Sequence, residues 1–243
     1  KVVEVEFLNM EDLDSLNFET ITNDSLRKAY KEINKYAFSE VYVARGFFDQ
    51  RYAKNGRKEG PGNYQDSLEF KKDAEREGIK FIILDDHKMI ANNIYVTGTV
   101  ERTVESYNGP KGYFLDEKLT IPDLIKDDQS VGMLTDNGWV MMSGCGHSGI
   151  INTAKKLQSI KNVPVYGAIG GFHLFKATDK TITQTASWLK ENGLTKFMGG
   201  HCTGIYAAET IADIIGITRD NLSHTAIGSV LTKDLTIIRS SVE

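Results

Sequence analysis

Cysteine, proline and long apolar stretches are all scarce in this sequence. Two cysteines among 243 residues do not make a disulfide framework, so a reducing cytoplasm is the expected compartment. No apolar run approaches the roughly 20 residues that a membrane-spanning helix needs. A basic excess is also missing, because the formal net charge is −4, which argues against nucleic acid as a partner. We therefore expect a small-molecule partner, while the composition leaves the oligomeric state open.

The four prolines do not gather into a linker, so we expect a single domain over residues 1–243. Antiparallel hairpin signals come first, including the turn Asp136-Asn137-Gly138 between two apolar stretches. From residue 148 onward, helices alternate with short strands, which is typical of α/β layers. The sequence thus predicts an α/β fold with a mixed sheet.

Apolar periodicity places the individual elements. Helices are predicted over residues 23–37, 67–77, 148–160, 180–193 and 206–216. Strands are predicted over residues 1–7, 40–44, 79–85, 93–100, 129–135, 138–144, 163–171 and 194–200. The polar, glycine-rich stretch from 45 to 65 is predicted to be a loop.

Histidine follows three of the predicted strands in the same kind of position. His147 stands in CGHSG, His173 in GGFHL and His201 in GGHCTG, and the chain has five histidines in all. One such histidine is more often a turn residue than a ligand, but three at strand ends favour one shared site. Neutral imidazole is a common metal ligand, and catalytic zinc typically takes three protein ligands and a water. We therefore expect a metal site.

Each of the other polar residues near these histidines or motifs allows two interpretations. The acidic pair Asp127-Asp128 either ligates a metal or orients a histidine, or it is a solvated turn. Arg102 either holds an anionic substrate group or lies on the surface. Thr203, like Ser148, either contacts a ligand or caps a helix. The remaining candidates are two cysteines, either soft ligands or small buried side chains, and two histidines assigned to the surface: Cys145, Cys202, His87 and His224.

Four motifs in fixed order, DDQSV, SGCGHSGIINT, GAIGGFHL and GGHCTG, resemble the metallo-β-lactamase superfamily. With NIYVTGTVER they look most like the branch labelled 7,8-dihydropterin-6-methyl-4-(β-D-ribofuranosyl)aminobenzene 5′-phosphate synthase. The similarity is close over roughly the last 150 residues and loose over residues 23–100. It implies the metallo-β-lactamase fold, a four-layer αββα sandwich with mixed sheets, and a metal site on one edge.

The resemblance also implies roles for individual residues. His147 and His201 match metal-ligand motifs, and the metal would be zinc or another divalent ion such as iron or manganese, with one ion or two. His173 lies near the position where many relatives carry a bridging aspartate, so it is either a ligand or, with Asp128, a residue that transfers protons. Apart from the resemblance, we expect Arg102 and Thr203 to contact the substrate.

One element of the superfamily is not found. Its His-x-His-x-Asp-His motif would fall near residues 18–26, FETITNDSL, which contain no histidine. We expect that this sequence lacks part of the N-terminal region of the fold. The alternatives are a relative that has lost its metal, or a single ion held by His147, His173 and His201.

The expected function is that of a metal-dependent hydrolase that uses metal-bound hydroxide on a small anionic or heterocyclic substrate. Two alternatives stay open: a metal-free protein of the same fold that binds a metabolite, and a pterin-related synthase.

Overall fold

The computed structural model describes residues 39–62, 64–106, 109–226 and 228–239, together with residue 32. The predicted strand over residues 1–7, nearly all of the predicted helix over 23–37, and the segment 18–26 lie outside the described residues. In the described part of the chain, no helix combines the length and apolar character needed to cross a membrane.

The described chain contains short strands throughout and most of its helices in the second half. The strands are β1 (Glu40–Ala44), β2 (Arg51–Ala53), β3 (Lys58–Glu59), β4 (Lys80–Leu84), β5 (Lys88–Ala91), β6 (Ile94–Val96), β7 (Tyr113–Phe114), β8 (Ser130–Thr135), β9 (Gly138–Ser143), β10 (Val165–Gly170), β11 (Lys196–Gly199), β12 (Leu222–Ser223), β13 (Val230–Leu231) and β14 (Ile237–Ile238). The helices are α1 (Ser67–Arg76), α2 (Ile150–Ile160), α3 (Asp179–Glu191) and α4 (Ile205–Ile215), with 3₁₀ turns at His201–Thr203 and Arg219–Asn221.

A seven-stranded mixed sheet, in the order β12-β11-β10-β9-β8-β6-β5, forms the centre of the fold. Strands β9 to β12 run parallel, whereas β5, β6, β8 and β9 pair antiparallel. Smaller sheets pair β1 with β4, β2 with β3 and β7, and β13 with β14. The predicted α/β class with mixed sheets is confirmed.

The core lies where α2, α3 and α4 cover the parallel half of this sheet. Trp139, Val140 and Met141 are consecutive on β9 and are at most 1% exposed. Because successive strand residues point to opposite faces, this run shows that both faces of the sheet are covered there. Apolar side chains of the three helices complete the core, among them Leu157, Leu189 and Ile211.

Several sequence-based boundaries are corrected by the structure. The stretch from 45 to 65 is not wholly loop, because β2 and β3 form a hairpin that pairs further with β7. The predicted strand over 93–100 ends at Val96. The hydroxyl of the next residue, Thr97, accepts a hydrogen bond from Ser130 N at 3.0 Å. Strand β5 was not predicted at all. Partners distant in sequence act in the first two cases, through β7 and Ser130, whereas β5 pairs with the adjacent strand β6.

Candidate metal site

The carboxyl ends of three adjacent parallel strands lie at one edge of the main sheet. Ser143 ends β9, Gly170 ends β10 and Gly199 ends β11, and these three residues are paired in register across the sheet. The predicted histidines follow these positions by two to four residues. The expectation that parallel strands bring the three histidine loops to the same edge is therefore met by the strand order.

Two of these histidines have an unusual backbone conformation. His173 has φ of 48° and His201 has φ of 49°, in the left-handed region that residues other than glycine seldom occupy. Each such residue stores a small strain energy, which persists only where the surroundings enforce it. The contacts around both histidines therefore have to offset this strain.

His147 and His173 contact each other. Their ring centroids are 4.7 Å apart and the rings are nearly perpendicular, at 84°. Burial lowers the pKa of His147, with Arg102 and His201 adding to the effect and Asp128 opposing it. Burial also lowers the pKa of His173, followed by the influence of His147 and His201. Both imidazoles are thus held in the neutral form, which ligates metals and accepts protons.

His201 lies instead close to two thiols. Its Nδ1 is 3.6 Å from Cys145 Sγ, and Cys202 Sγ donates a hydrogen bond to the Cys145 carbonyl at 3.1 Å. Burial raises the pKa of Cys202 to about 11. Among the described residues, Cys145, His201 and Cys202 are the set whose potential ligand atoms all lie within 4.8 Å of one another, and neither His147 nor His173 belongs to it.

Asp128 supports the His147 loop from outside. Its Oδ2 accepts a hydrogen bond from Ser148 N at 2.8 Å, one residue beyond His147. Asp127 points elsewhere, into an ion pair with Arg51. Burial raises the pKa of Asp127 despite that pairing. The two adjacent aspartates therefore have different environments, and only Asp128 faces the predicted site.

The two residues predicted to contact substrate have defined protein partners. Arg102 is half-buried and donates from Nη2 to the Ile125 carbonyl at 2.9 Å. Thr203 is fully buried, accepts from Phe172 N at 3.1 Å and donates to the Gly170 carbonyl at 3.0 Å. Thr203 thereby ties the β10 loop to the β11 loop. Contact of either residue with substrate stays a prediction.

The remaining two histidines differ from each other. His87 is exposed and contacts its neighbour Asp86. His224 is half-buried, and its Nδ1 lies 3.1 Å from the Gly199 carbonyl. It shares a small cavity of about 310 Å³ with His201, on the side away from β10. The surface assignment fits His87, whereas His224 supports the end of β11.

A cavity of about 660 Å³ opens beside His173. Its wall includes residues from three separate parts of the chain, which sequence reasoning did not select: Glu105, Phe172, Lys176, Thr181 and Trp188. Phe172 and Lys176 lie close in sequence to His173. The others reach the cavity through the packing of α3 and of the segment before residue 106, so no local pattern marks them.

Glu105 fixes one side of this cavity. Its Oε2 accepts from the backbone N of Ile151 at 2.6 Å and of Asn152 at 3.2 Å, at the first turn of α2. The Asn152 amide oxygen in turn accepts from Thr103 N and Val104 N. Burial raises the pKa of Glu105. The segment 103–105 is thus fastened to the helix that follows His147.

Comparison with known proteins extends these observations. No family model matches the chain. Over 143 residues, 56% of the chain, it is 33% identical to the 7,8-dihydropterin-6-methyl-4-(beta-D-ribofuranosyl)-aminobenzene-5'-phosphate synthase of Methanocaldococcus jannaschii, of which this stretch covers 48%. Over 154 residues, 61% of the chain, it is 29% identical to the uncharacterized protein MJ0448 of the same organism, covering 53% of it. The chain thus spans about half the length of the curated relatives it matches.

The fold has a counterpart among solved structures. Tm1679, a metal-dependent hydrolase of the β-lactamase superfamily, superposes with a TM-score of 0.59 at 22% sequence identity. The match covers 72% of this chain and 65% of that one. The chain therefore has the predicted metallo-β-lactamase fold. Its motifs, its curated relative and its fold together link it to the metallo-β-lactamase superfamily.

Proposed function

We propose that this chain is a metal-dependent hydrolase that acts on a small anionic or heterocyclic molecule bound in the cavity beside His173. The observation that carries the proposal is the position of His173. It lines the 660 Å³ cavity, contacts His147, and stands at the same sheet edge as the cysteine–histidine set.

The residues at this edge fit a divalent metal ion. The His201 imidazole and the two thiols of Cys145 and Cys202 converge there, and three protein ligands with one open position are typical of catalytic zinc sites. When bound, such an ion lowers the pKa of water to about 7 and polarises the bond to be cleaved. Zinc is the first candidate, with iron or manganese as alternatives.

The cavity wall suits a planar molecule that carries a negative charge. Phe172 and Trp188 offer aromatic surface, and Lys176 supplies a positive charge at the rim. Lys176 also lies over the Phe175 ring at 5.2 Å, which holds the ammonium near the mouth. Arg102 is not part of the cavity wall, but its charge acts on His147, and we propose that it attracts an anionic group bound near that histidine.

His173 and Asp128 would divide the handling of protons. His173, kept neutral by burial, accepts a proton from the attacking water or returns one to the leaving group. Asp128 acts through its hydrogen bond to Ser148 N, which orients the loop that carries His147, and through its charge. In this proposal His173 is the catalytic residue and Asp128 has at least a positioning role.

The test is hydrolysis by the purified chain after loading with zinc, manganese or iron(II). Phosphate monoesters, phosphodiesters and carboxylate esters are offered in turn, each with and without a chelator. We expect turnover that the chelator abolishes and that His173→Ala lowers by about 100-fold or more in kcat. His87→Ala, a change at an exposed histidine, is the matched control and should leave kcat unchanged. Metal-loaded protein that hydrolyses none of these classes would reject the proposal.

A second candidate is a pterin-related synthase, which the 33% identity to a named synthase favours. It requires that the cavity bind a reduced pterin. Trp188 lines the cavity, whereas Trp139 is fully buried in the core, so quenching by a reduced pterin would report on Trp188. Quenching that disappears in Trp188→Phe would favour the synthase, and its absence in the wild-type chain would count against it.

A further inference from the structure

We propose that Cys145, His201 and Cys202 bind a divalent metal ion through two thiolates and one imidazole, so that the ion at this edge is held by sulfur as well as nitrogen. This goes beyond the hydrolase proposal, because it concerns which atoms hold the ion and is independent of the reaction catalysed.

The separations fit a tetrahedral ion. With Zn–S near 2.3 Å and Zn–N near 2.05 Å, tetrahedral angles require an S···N separation of about 3.6 Å. The observed distance from Cys145 Sγ to His201 Nδ1 is 3.6 Å. All three potential ligand atoms lie within 4.8 Å of one another, so the third ligand atom is also near the other two.

The space beside these atoms is kept open by a missing side chain. A Cβ on Gly171 would lie 2.9 Å from Cys202 Sγ and 3.2 Å from His201 Nδ1, and would also overlap the Gly144 carbonyl. Glycine at this position therefore lets the β10 loop pass close to the backbone of the β9 loop without filling the region next to two of the ligand atoms. This observation is independent of the distances among the ligands themselves.

The donor set has the right chemistry for a thiophilic ion. Thiolate ligands favour zinc over magnesium or calcium, and a two-cysteine, one-histidine set occurs in catalytic zinc sites that leave a fourth position for water. His201 is exposed and both cysteines are half-buried, so the fourth position would face solvent. Binding exchanges two S–H protons, one from each cysteine and both released to solvent, for one divalent cation. The resulting site is electrically neutral.

The deciding experiment is cobalt(II) titration of the full chain under reducing conditions. Cobalt bound by thiolate gives a near-ultraviolet sulfur-to-metal charge-transfer band, which imidazole ligands do not give. We expect the band in the wild-type chain, about half of it in Cys145→Ser and in Cys202→Ser, and none in the double variant. The double variant should bind zinc at least roughly tenfold more weakly. His147→Ala and His87→Ala, controls outside the set, should retain the band.

Alkylation provides a test that needs no variant. In the wild-type chain, zinc should slow the reaction of both cysteines with iodoacetamide, measured residue by residue by mass spectrometry. Two protons per zinc should also appear in a weakly buffered indicator solution.

The outcomes separate this inference from the hydrolase proposal. One outcome would overturn the thiolate site: cobalt binds without the charge-transfer band, and this binding is lost in both His147→Ala and His201→Ala. That outcome would leave an imidazole-based hydrolase intact. A thiolate band without any hydrolysis would support the thiolate site and reject the hydrolase proposal. If neither cobalt nor zinc binds, or if zinc leaves both thiols equally reactive, the thiolate site is rejected.

Discussion

At the scale of single residues, burial determines the charge state of the predicted site. His147 and His173 are each held in the neutral form chiefly by desolvation, and the positive charges near them act in the same direction. Asp128 opposes this only in part. A neutral imidazole pair at neutral pH is what both metal ligation and proton acceptance require, so this property does not distinguish the two roles.

This environment predicts a pH dependence of folding. Because the pKa of His147 is lower in the folded state, the unfolded chain takes up the proton at a higher pH than the folded chain does. The contribution of His147 to the free energy of unfolding is therefore fully present above the ordinary histidine pKa of 6.5, and it falls as the pH drops below that value. We expect the free energy of unfolding to decline as the pH falls below 6.5, and to decline less steeply in His147→Gln. Urea unfolding at a series of pH values measures this. His87→Gln should keep the wild-type slope; a similar flattening in that control would argue against the assignment.

At the scale of elements, the site depends on where three parallel strands end. Gly170 has φ of 112°, and a Cβ there would overlap the Ser143 carbonyl of β9. The β9 and β10 loops can therefore leave the sheet side by side only if residue 170 is glycine. Thr203 then joins the β10 loop to the β11 loop through two buried hydrogen bonds.

Gly170→Ala tests this arrangement. The change adds both an unfavourable backbone conformation and a steric overlap, and we expect a loss of more than about 3 kcal/mol in unfolding free energy. Gly216→Ala is the matched control, since Gly216 also has positive φ, 83°, but no atom within 4 Å of the added Cβ. That control should lose only about 1 kcal/mol. Comparable losses in the two variants would show that backbone angle alone, and not close loop approach, is what matters.

At the scale of the whole molecule, a buried ion cluster connects the small β3-β2-β7 sheet to the loop that carries Asp128. Arg51 Nε lies 2.6 Å from Asp123 Oδ2, and its Nη2 pairs with Asp127. The side chains are 19%, 3% and 10% exposed, respectively. Removal of the one cation would leave two carboxylates buried beside each other, which is strongly unfavourable.

We therefore expect Arg51→Met to lower the free energy of unfolding by about 3 kcal/mol. It should also reduce metal-dependent turnover, because the loop between Asp123 and Asp128 would lose its anchor. Arg57→Met, on the same hairpin, breaks an exposed pair with Glu59 and should cost less than about 1 kcal/mol. Chemical denaturation of both variants gives the comparison, and equal losses would contradict a structural role for the buried cluster.

The sequence alone determined the α/β class, the hairpin at Asp136-Asn137-Gly138, and the sheet edge to which His147, His173 and His201 belong. These follow from local physics. Strand and helix periodicities are read from neighbouring residues, and consecutive strands joined through helices run parallel, so their carboxyl ends share an edge. For the four helices that lie within the described residues, the predicted boundaries were likewise close, since caps and apolar faces are local properties.

Only the tertiary structure decided which side chains meet at that edge. His147 pairs with His173, whereas His201 lies with Cys145, 56 residues away in sequence, and Trp188 and Glu105 reach the cavity from other elements. The spacing of residues along the chain predicts the periodicity of helices and strands and the direction in which the strands run. Contacts of three to five ångströms depend instead on loop dihedral angles and on the packing of helices against the sheet, which residues far apart in sequence set together.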